Sequence, residues 1–537
     1  MRYQTKAGIL RTAMLPIAVL LMAATTTATT TGTTTVPGQV PATEPRSFDE
    51  NISGAAILVD AGKAEAALVL LDSMLGQTDL PIEKGKIEGL RSFALARLNR
   101  IPEARKAIEA AVASSPAPTM LLLRQLFLLR AFNGDAPGAS ETLQLIAATD
   151  PEGLSELPTE IVSGVIGAVA KDPVRSFEVD YSLVQANWLP DDATISSLDQ
   201  LRLRLVVELV KRERVDDARA ILADVLNPII LVRIGIDKRL QALWPEVETR
   251  LGPGADIADA VFVAAAKARY DAAQKPAAPP AQRQPQALVQ APLQAPPQAL
   301  IARLGYAEAL NIASREPEAL ALLSDVVKTP AELAALNDRE IWLVNLQAAL
   351  LGDTGKVDEA LARYDALNAA PIEGRPGLIG TIINQGLFAQ GAGRAEKALA
   401  VADMADSKGP FANEFARAYT AQVRACALRQ LGKPAEANAA VAALAAKPEI
   451  NDSAYISAMI CLDRMDDAAA AVVQQLASED GRNEMLFELQ PFLINDRPGA
   501  NDPKQRAGMR ALKARTDVKA AFAKVGRDLP ARVSPPR

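Results

Sequence analysis

The residue types that most often carry catalysis are scarce in this chain of 537 residues. The sequence contains no histidine, which excludes Ser-His-Asp triads, HExxH zinc sites and every other mechanism that uses imidazole as a base or a metal ligand. The segment GDTGKV (352–357) contains Gly and Lys, but its spacing differs from that of the GxxxxGK[ST] phosphate-binding loop. These residues therefore predict neither a histidine-dependent enzyme nor a nucleotide site.

The two cysteines, Cys426 and Cys461, are 35 residues apart, too far for a paired-cysteine metal motif. Two interpretations stay open. The cysteines form a disulfide if their helices are neighbours and the Cα atoms approach within ~7 Å. Alternatively, each thiol is buried and behaves as a small hydrophobic side chain.

Carboxylates are abundant, with 64 Asp and Glu residues, but they fall mainly at turns and on outward helix faces. A solvated surface explains such positions. We therefore predict no catalytic residue, no cofactor and no metal. A net charge of −6 over this length also argues against nucleic acid as a partner.

The composition predicts which elements must position any binding residues. Only 4% of the residues are aromatic while 49% are hydrophobic, so the apolar residues are mostly Ala, Leu and Val. Ala and Leu favour helices, whereas the aromatic residues that favour strands are few. The length exceeds what one hydrophobic core supports. The sequence therefore predicts an all-α protein with several domains or a repeat array.

The N-terminus is typical of a signal peptide over residues 1–28. Arg2, Lys6 and Arg11 precede the apolar segment LPIAVLLMAA (15–24), which is shorter than the ~20 residues that span a bilayer. The Thr/Pro-rich residues 29–46 have little to bury and predict a disordered lead. We expect a periplasmic or secreted protein with a cleaved signal peptide; an uncleaved anchor is the alternative.

The segment TGKVDEALARYDALNAAP (354–371) is one of nine similar segments. Each has a turn residue, usually a basic or polar residue, two variable positions, often an acidic residue, and then an alanine that opens an amphipathic helix. The nine alanines are Ala67, Ala104, Ala139, Ala218, Ala319, Ala360, Ala398, Ala437 and Ala468. Such a period of 31 to 41 residues within the clear runs indicates a repeat protein.

These segments resemble the tetratricopeptide repeat, in which helix A turns through Gly and a charged residue into helix B. The resemblance implies an α-solenoid, since a single hairpin cannot cover its own apolar face and neighbouring hairpins must stack. The Pro- and Gln-rich residues 273–299 predict an extended linker. We therefore predict two arrays of such repeats, over 47–272 and 300–530, followed by a tail over 531–537.

The resemblance also implies a binding surface, because helix A lines the groove of this family. Counting back from the alanines places five residues on or beside that groove: Trp342, Asn345, Asn384, Tyr419 and Gln422. Trp and Tyr are typical anchors of protein interfaces. The alternative is that Trp342 packs in the core and the Asn residues are solvated.

The last residues offer a second surface. Residues 504–537 contain ten Lys or Arg and two Asp, and their Ala and Leu spacing predicts one or two helices. These helices would form the polar cap that the end of a solenoid requires. A second interpretation is contact with a membrane surface, because basic helices bind anionic lipid.

Together these features predict a non-enzymatic scaffold that binds other proteins or peptides of the bacterial cell envelope, within an export or assembly machinery. The alternative is an α-solenoid enzyme that acts on glycan or peptidoglycan. An enzyme would bring carboxylates together in a deep cleft, whereas a scaffold would have an open surface with scattered aromatic and amide side chains.

Overall fold

A computed structural model describes residues 47–188, 193–275, 298–491 and 503–529. The predicted signal peptide, the Thr/Pro-rich lead, most of the predicted linker and the tail lie outside these residues. The predicted all-α class is confirmed: the described residues form α-helices joined by turns and short 3-10 helices. None of these helices combines the length and apolarity that a membrane crossing requires.

The contacts between residues divide the chain into two compact units, and residues 47–188 belong to the first. Its helices are α1 (Phe48–Asp60), α2 (Ala64–Leu75), α3 (Pro81–Arg97), α4 (Ile101–Ala113), α5 (Met120–Phe132), α6 (Ala136–Thr149), α7 (Thr159–Val169) and α8 (Pro173–Gln185). Consecutive helices pack against each other along the chain, from α1 with α2 to α7 with α8.

The second unit contains the described residues from 193 onward. Its first helices are α9 (Ile195–Lys211), α10 (Val215–Ala223), α11 (Pro228–Ile236), α12 (Trp244–Leu251), α13 (Asp256–Ala273), α14 (Gln298–Ile312), α15 (Glu316–Leu323), α16 (Pro330–Ala335), α17 (Ile341–Asp353) and α18 (Val357–Asn368). The later helices are α19 (Leu378–Gly391), α20 (Ala395–Ser407), α21 (Glu414–Gln430), α22 (Pro434–Ala446), α23 (Asp452–Cys461), α24 (Met465–Ala477), α25 (Arg482–Glu488), α26 (Pro503–Ala514) and α27 (Thr516–Val525).

The nine repeat segments share one turn geometry. Each of the nine alanines is fully buried, with 0% of its surface exposed, and the residue five positions earlier always has a positive φ. These turn residues are Gly62, Asn99, Gly134, Glu213, Ser314, Gly355, Gly393, Gly432 and Asp463. Glycine adopts a positive φ at no steric cost, which explains why five of the nine turns use it. The alignment of the nine segments therefore describes nine equivalent helix–turn–helix hairpins.

The segment at 354–371 shows how each hairpin turns. Gly355, with φ +83°, reverses the chain after α17, and the Lys356 amide donates to the Leu351 carbonyl at 2.8 Å. Lys356 begins the next helix, since its carbonyl accepts from the Ala360 amide at 2.9 Å. Its ammonium group lies 3.6 Å from the Glu359 carboxylate, which explains why a basic residue often precedes an acidic one by three positions.

Replacing Ala360 with Leu should lower the free energy of unfolding by about 1–3 kcal/mol, because the larger side chain overpacks a fully buried contact. Ala362 is exposed on the same helix, so that Ala362→Leu should change stability by less than about 0.5 kcal/mol. Urea denaturation of both variants, followed by circular dichroism, measures the difference. Similar small effects at both positions would contradict the register.

The second unit closes on itself. From α11, neighbouring helices contact each other through α12, α13, α14, α17, α19, α21, α23, α24 and α25, and α25 packs back against α11. There the Arg233 guanidinium donates to both oxygens of the Glu484 carboxylate, at 2.8 and 2.9 Å. Asp237 and Gly526 form an antiparallel β-bridge nearby. The helices of this unit therefore form a closed circuit of contacts.

The division into units differs from the two predicted arrays, because α9 to α13 belong to the second unit. The Pro/Gln-rich segment is flanked by α13 and α14, which pack against each other, with the rings of Tyr270 and Tyr306 stacked 5.7 Å apart. Phe262 of α13 shares a hydrophobic core with Leu304 of α14. The helices on either side of the segment therefore belong to one unit, and the two predicted arrays stay a prediction. The composition of the segment shows that it has little to bury, but not which helices pack on either side.

The basic C-terminal residues, for which one or two helices were predicted, form α26 and α27, and these helices pack on α23 and α24. Several of their basic side chains form ion pairs within the unit: Lys504 with Asp463, Lys513 with Asp528, Arg515 with Asp466 and Arg527 with Glu248. The Arg527 guanidinium also stacks 3.7 Å from the ring centroid of Trp244. These contacts favour the cap over a free basic surface, and membrane contact stays a prediction.

Candidate functional site

The five predicted groove residues lie on three helices that contact each other in turn, α17, α19 and α21. Asn345 and Gln422 are buried, while Trp342, Asn384 and Tyr419 are half-buried. The structure thus places the predicted residues on neighbouring helices, as the repeat register requires. None of the five is exposed.

The amide side chains contact other parts of the fold. Asn384 Nδ2 donates to Asn345 Oδ1 at 2.9 Å and links α19 to α17. The side-chain amide oxygen of Gln422, Oε1, is buried without a hydrogen-bond partner. An unsatisfied buried oxygen of this kind can accept a hydrogen bond from a bound group. Among the predicted residues, Gln422 is therefore the one whose side chain has unused bonding capacity.

The two aromatic residues are packed into the fold. Trp342 and Tyr419 contact the same hydrophobic core, which includes Ile341 and Ile382. Burial raises the pKa of Tyr419, while a hydrogen bond with the Asn451 side chain opposes this effect. These contacts agree with the alternative that was stated for Trp342, in which the ring packs in the core.

Replacing both Trp342 and Tyr419 with Ala should destabilise the second unit by several kcal/mol, because each truncation leaves a cavity beside the core. Thermal melting by circular dichroism measures this loss. An unchanged melting temperature would instead show that both rings are available to a partner. The matched control is Tyr455→Ala on α23, whose ring is outside this core cluster and should be less important for stability.

The fully buried carboxylates Asp199 and Asp237 have structural partners. Asp199 accepts hydrogen bonds from Arg202 and from the backbone amides of residues 226 and 227, and Asp237 pairs with Arg239 at 2.6 Å. Burial raises the pKa of Glu308 to about 7, and its carboxyl is hydrogen-bonded with the Thr194 hydroxyl. Among the described residues, no group of three or more Asp, Glu or Cys side chains is placed to hold a metal ion.

The exposed apolar side chains are concentrated in the first unit, away from the five predicted groove residues. Of the eleven large hydrophobic residues that are exposed in the described part of the chain, eight belong to the first unit, although this unit has fewer than half as many described residues as the second. They are Ile57, Val69, Leu80, Ile82, Leu121, Phe132, Leu145 and Val174. Sequence reasoning missed these residues, because apolar residues at helical spacing were assigned to the core.

The two cysteines form a disulfide that links α21 to α23, with a Cα–Cα distance of 5.3 Å. Both are buried, and α26 covers the bridge: Gln505 Nε2 donates to Cys461 Sγ at 3.0 Å and Lys504 Nζ donates to the Cys461 carbonyl at 2.8 Å. The structure therefore agrees with the first of the two interpretations, the disulfide, and not with two buried free thiols.

The comparisons with known proteins assign neither a family nor a relative. No protein-family model matches the chain. No curated protein matches it significantly.

Proposed function

We propose that this protein is a non-enzymatic scaffold of the bacterial cell envelope, an α-solenoid of tetratricopeptide-like hairpins that binds other proteins or peptides. The observation that carries the proposal is the common geometry of the nine hairpins, each with a left-handed turn residue five positions before a fully buried alanine. Stacked hairpins of this kind present long rows of helices to a partner. Recognition is what such an architecture supports best.

Two further observations favour a scaffold over the alternative of a glycan-cleaving enzyme. Glycoside hydrolysis uses a pair of carboxylates on either side of the scissile bond. In this chain the fully buried carboxylates Asp199 and Asp237 are each bound to an arginine, which gives them a structural role. The exposed apolar residues of the first unit are typical of an interaction surface.

The disulfide supports the envelope location. Disulfides persist in the periplasm and in secreted proteins but are rare in the reducing cytosol. The Cys426–Cys461 bridge and the predicted signal peptide are independent features that favour the same compartment.

Affinity capture tests this function. The chain without residues 1–28 is immobilised and exposed to an envelope extract of the source bacterium, and bound proteins are identified by mass spectrometry against a bait of unrelated fold. We expect a small set of proteins enriched on the folded chain. In parallel, the chain is incubated with purified peptidoglycan. Release of soluble fragments, without any enriched protein, would favour the enzyme alternative and contradict the scaffold.

A further inference from the structure

The last four described residues, 526–529, lie against the second unit after the end of α27. Gly526 has an extended backbone and forms an antiparallel β-bridge with Asp237. The Arg527 amide donates to the Ile236 carbonyl at 3.0 Å. Main-chain hydrogen bonds of this kind provide much of the affinity of proteins that bind extended peptides. The 526–529 segment therefore contacts the second unit in the way that a bound peptide would.

Gln490, two residues after the end of α25, binds the main chain of the same segment. Its Nε2 donates to the Arg527 carbonyl at 3.1 Å, and its Oε1 accepts from the Leu529 amide at 3.0 Å. The Leu529 side chain is buried and lies against Gly235, where a β-carbon would be 3.7 Å from Leu529 Cδ1. The second unit thus holds the backbone of the segment through one amide side chain and buries one leucine.

The Arg527 side chain makes three further contacts. Its Nε donates to the Gly235 carbonyl at 2.6 Å, and its Nη1 lies 2.6 Å from the Glu248 carboxylate. The guanidinium also stacks 3.7 Å from the ring centroid of Trp244. A planar guanidinium can stack on a ring while its N–H groups donate at the edge, which an ammonium group cannot do. These contacts therefore select arginine at position 527.

Position 526 requires glycine for a steric reason. A β-carbon there would lie 2.2 Å from Leu486 Cδ2 and 3.1 Å from the Ile236 carbonyl oxygen. Leu486 is fully buried, so that its side chain has little room to move. Asp528, between the arginine and the leucine, is exposed. The contacts together specify a Gly-Arg-x-Leu sequence.

The resident segment leaves hydrogen-bonding groups at this contact unused. Arg527 Nη2 and Asn483 Oδ1 are buried without a partner, and Asn483 Nδ2 lies 3.5 Å from Asp237 Oδ2, beside the segment. Buried polar groups without partners weaken a contact. Segments outside helices also open more easily than the packed helices around them. The 526–529 segment can therefore be displaced more easily than the helices can unfold.

Five residues that hold the segment, Gly235, Ile236, Trp244, Glu248 and Gln490, are called the docking site below. They lie on α11 and α12 or follow α25, and these three helices contain none of the nine alanines of the repeat hairpins. The docking site is therefore separate from the hairpins that carry the proposed function.

We propose that the docking site binds an extended Gly-Arg-x-Leu segment of a partner protein, and that residues 526–529 occupy the site until the partner displaces them. The resident segment defines the ligand chemistry: a residue without a β-carbon, an arginine on Trp244 and Glu248, and a leucine two positions later. Because the resident segment is tethered, its effective concentration at the site is high. A partner binds where its own concentration or additional contacts outweigh this advantage. The inference goes beyond the proposed scaffold function, because it assigns a separate site and a competing segment within the chain.

The probe is a fluorescently labelled peptide with the sequence of residues 524–531, KVGRDLPA, titrated against the chain without residues 1–28 by fluorescence anisotropy. Arg527→Ala in the chain removes three side-chain contacts of the resident segment. We expect the probe to bind this variant at least tenfold more tightly than the unsubstituted chain, because the competing segment is weakened. Lys519→Ala, at an exposed position on α27, is the matched control and should bind the probe like the unsubstituted chain.

Changes in the peptide test which sequence the docking site selects. Gly526→Ala in the peptide should weaken binding to the Arg527→Ala chain at least tenfold, because the added β-carbon meets Leu486. Arg527→Ala in the peptide should have a similar effect. Lys524→Ala, at a position that is exposed in the chain, should change the affinity less than threefold. Equal affinities of all four peptides would overturn the inference.

Hydrogen exchange tests the displacement in the unsubstituted chain, without depending on the folding of a variant. The peptide is added at one hundred times the Kd that is measured with the Arg527→Ala chain. We expect the amides of 526–529 to lose protection while those of 228–236 keep it. Circular dichroism verifies that each variant is folded, and Leu529→Ser replaces Arg527→Ala if that chain is unstable. Unchanged exchange in 526–529, or equally tight binding to the Lys519→Ala and Arg527→Ala chains, would overturn the inference.

Two further results separate this inference from its alternatives. A chain that dimerises with concentration and separates when the peptide is added would assign the docking site to a second copy and overturn the partner assignment. If the peptide does not bind but affinity capture still enriches proteins, the scaffold function stands and only this site is wrong. If the peptide binds but capture enriches nothing, the site stands and the scaffold function is contradicted.

Discussion

Replacing Asp199 with Ala should destabilise the second unit by about 3–5 kcal/mol, the range measured when one member of a buried ion pair is removed. The Asp199 side chain is fully buried and lies 2.8 Å from the buried Arg202 guanidinium. Its second oxygen accepts from the amides of Leu226 and Asn227, at 2.8 and 2.6 Å. The substitution leaves a buried positive charge without this carboxylate and two amides without their acceptor.

The matched control is Asp217→Ala on the next helix, where Asp217 forms an ion pair of the same spacing with Arg214. Both side chains of that pair are substantially exposed, so the loss should stay below about 1 kcal/mol. Urea unfolding of the two variants, followed by circular dichroism, measures both values. Equal losses in the free energy of unfolding would show that the burial of Asp199 does not determine its contribution to stability.

Removing the disulfide should destabilise the second unit by about 3–4 kcal/mol, because a bridge across 35 residues restricts the unfolded chain. The double variant Cys426→Ala/Cys461→Ala tests this expectation. The bridge joins helices of adjacent hairpins, and α26 packs on one of them. Its loss should therefore also raise hydrogen exchange in 503–514.

Reductant provides the control for this prediction. Dithiothreitol in the urea titration should lower the midpoint of the unsubstituted chain to about that of the double variant, and it should leave the variant unchanged. A midpoint that does not respond to reductant would contradict a stabilising disulfide. A variant that responds would indicate an effect of the reductant on other parts of the protein.

The repeat register could be predicted from sequence because the turn chemistry is local. Within one hairpin, the turn residue, such as Gly355, must adopt a positive φ. The alanine five positions later, such as Ala360, must fit a close packing contact. The same local rules apply where glycine is replaced, as at Asn99, which also adopts a positive φ.

The boundary between the two units could not be predicted in this way, because it depends on contacts between distant segments. The pairing of Arg233 with Glu484 closes the second unit over about 250 residues, and nothing in the local sequence of either residue indicates the other. The Pro/Gln-rich composition of 273–299 likewise gave no information about the packing of α13 on α14.

The candidate surface was difficult to predict for a related reason. Phe132 and Leu123 are both apolar residues on α5, and periodicity alone cannot show which of the two stripes faces the core. The structure resolves this ambiguity, since Leu123 is buried and Phe132 is half exposed. Trp342, which the register places on or beside a groove, is half-buried and packs against a hydrophobic core, so that its local sequence could not decide between the two interpretations.

Site-specific photo-crosslinking in the cells that produce the protein tests the central claim most directly. A photoreactive phenylalanine analogue replaces Phe132, which is exposed on α5, or Val69, which is exposed on α2 and serves as the control. We predict that position 132 crosslinks a partner protein, identified by mass spectrometry, and that position 69 does so in lower yield. Crosslinks of equal yield at both positions, or none at either, would contradict a role of the exposed apolar residues of the first unit in binding a partner.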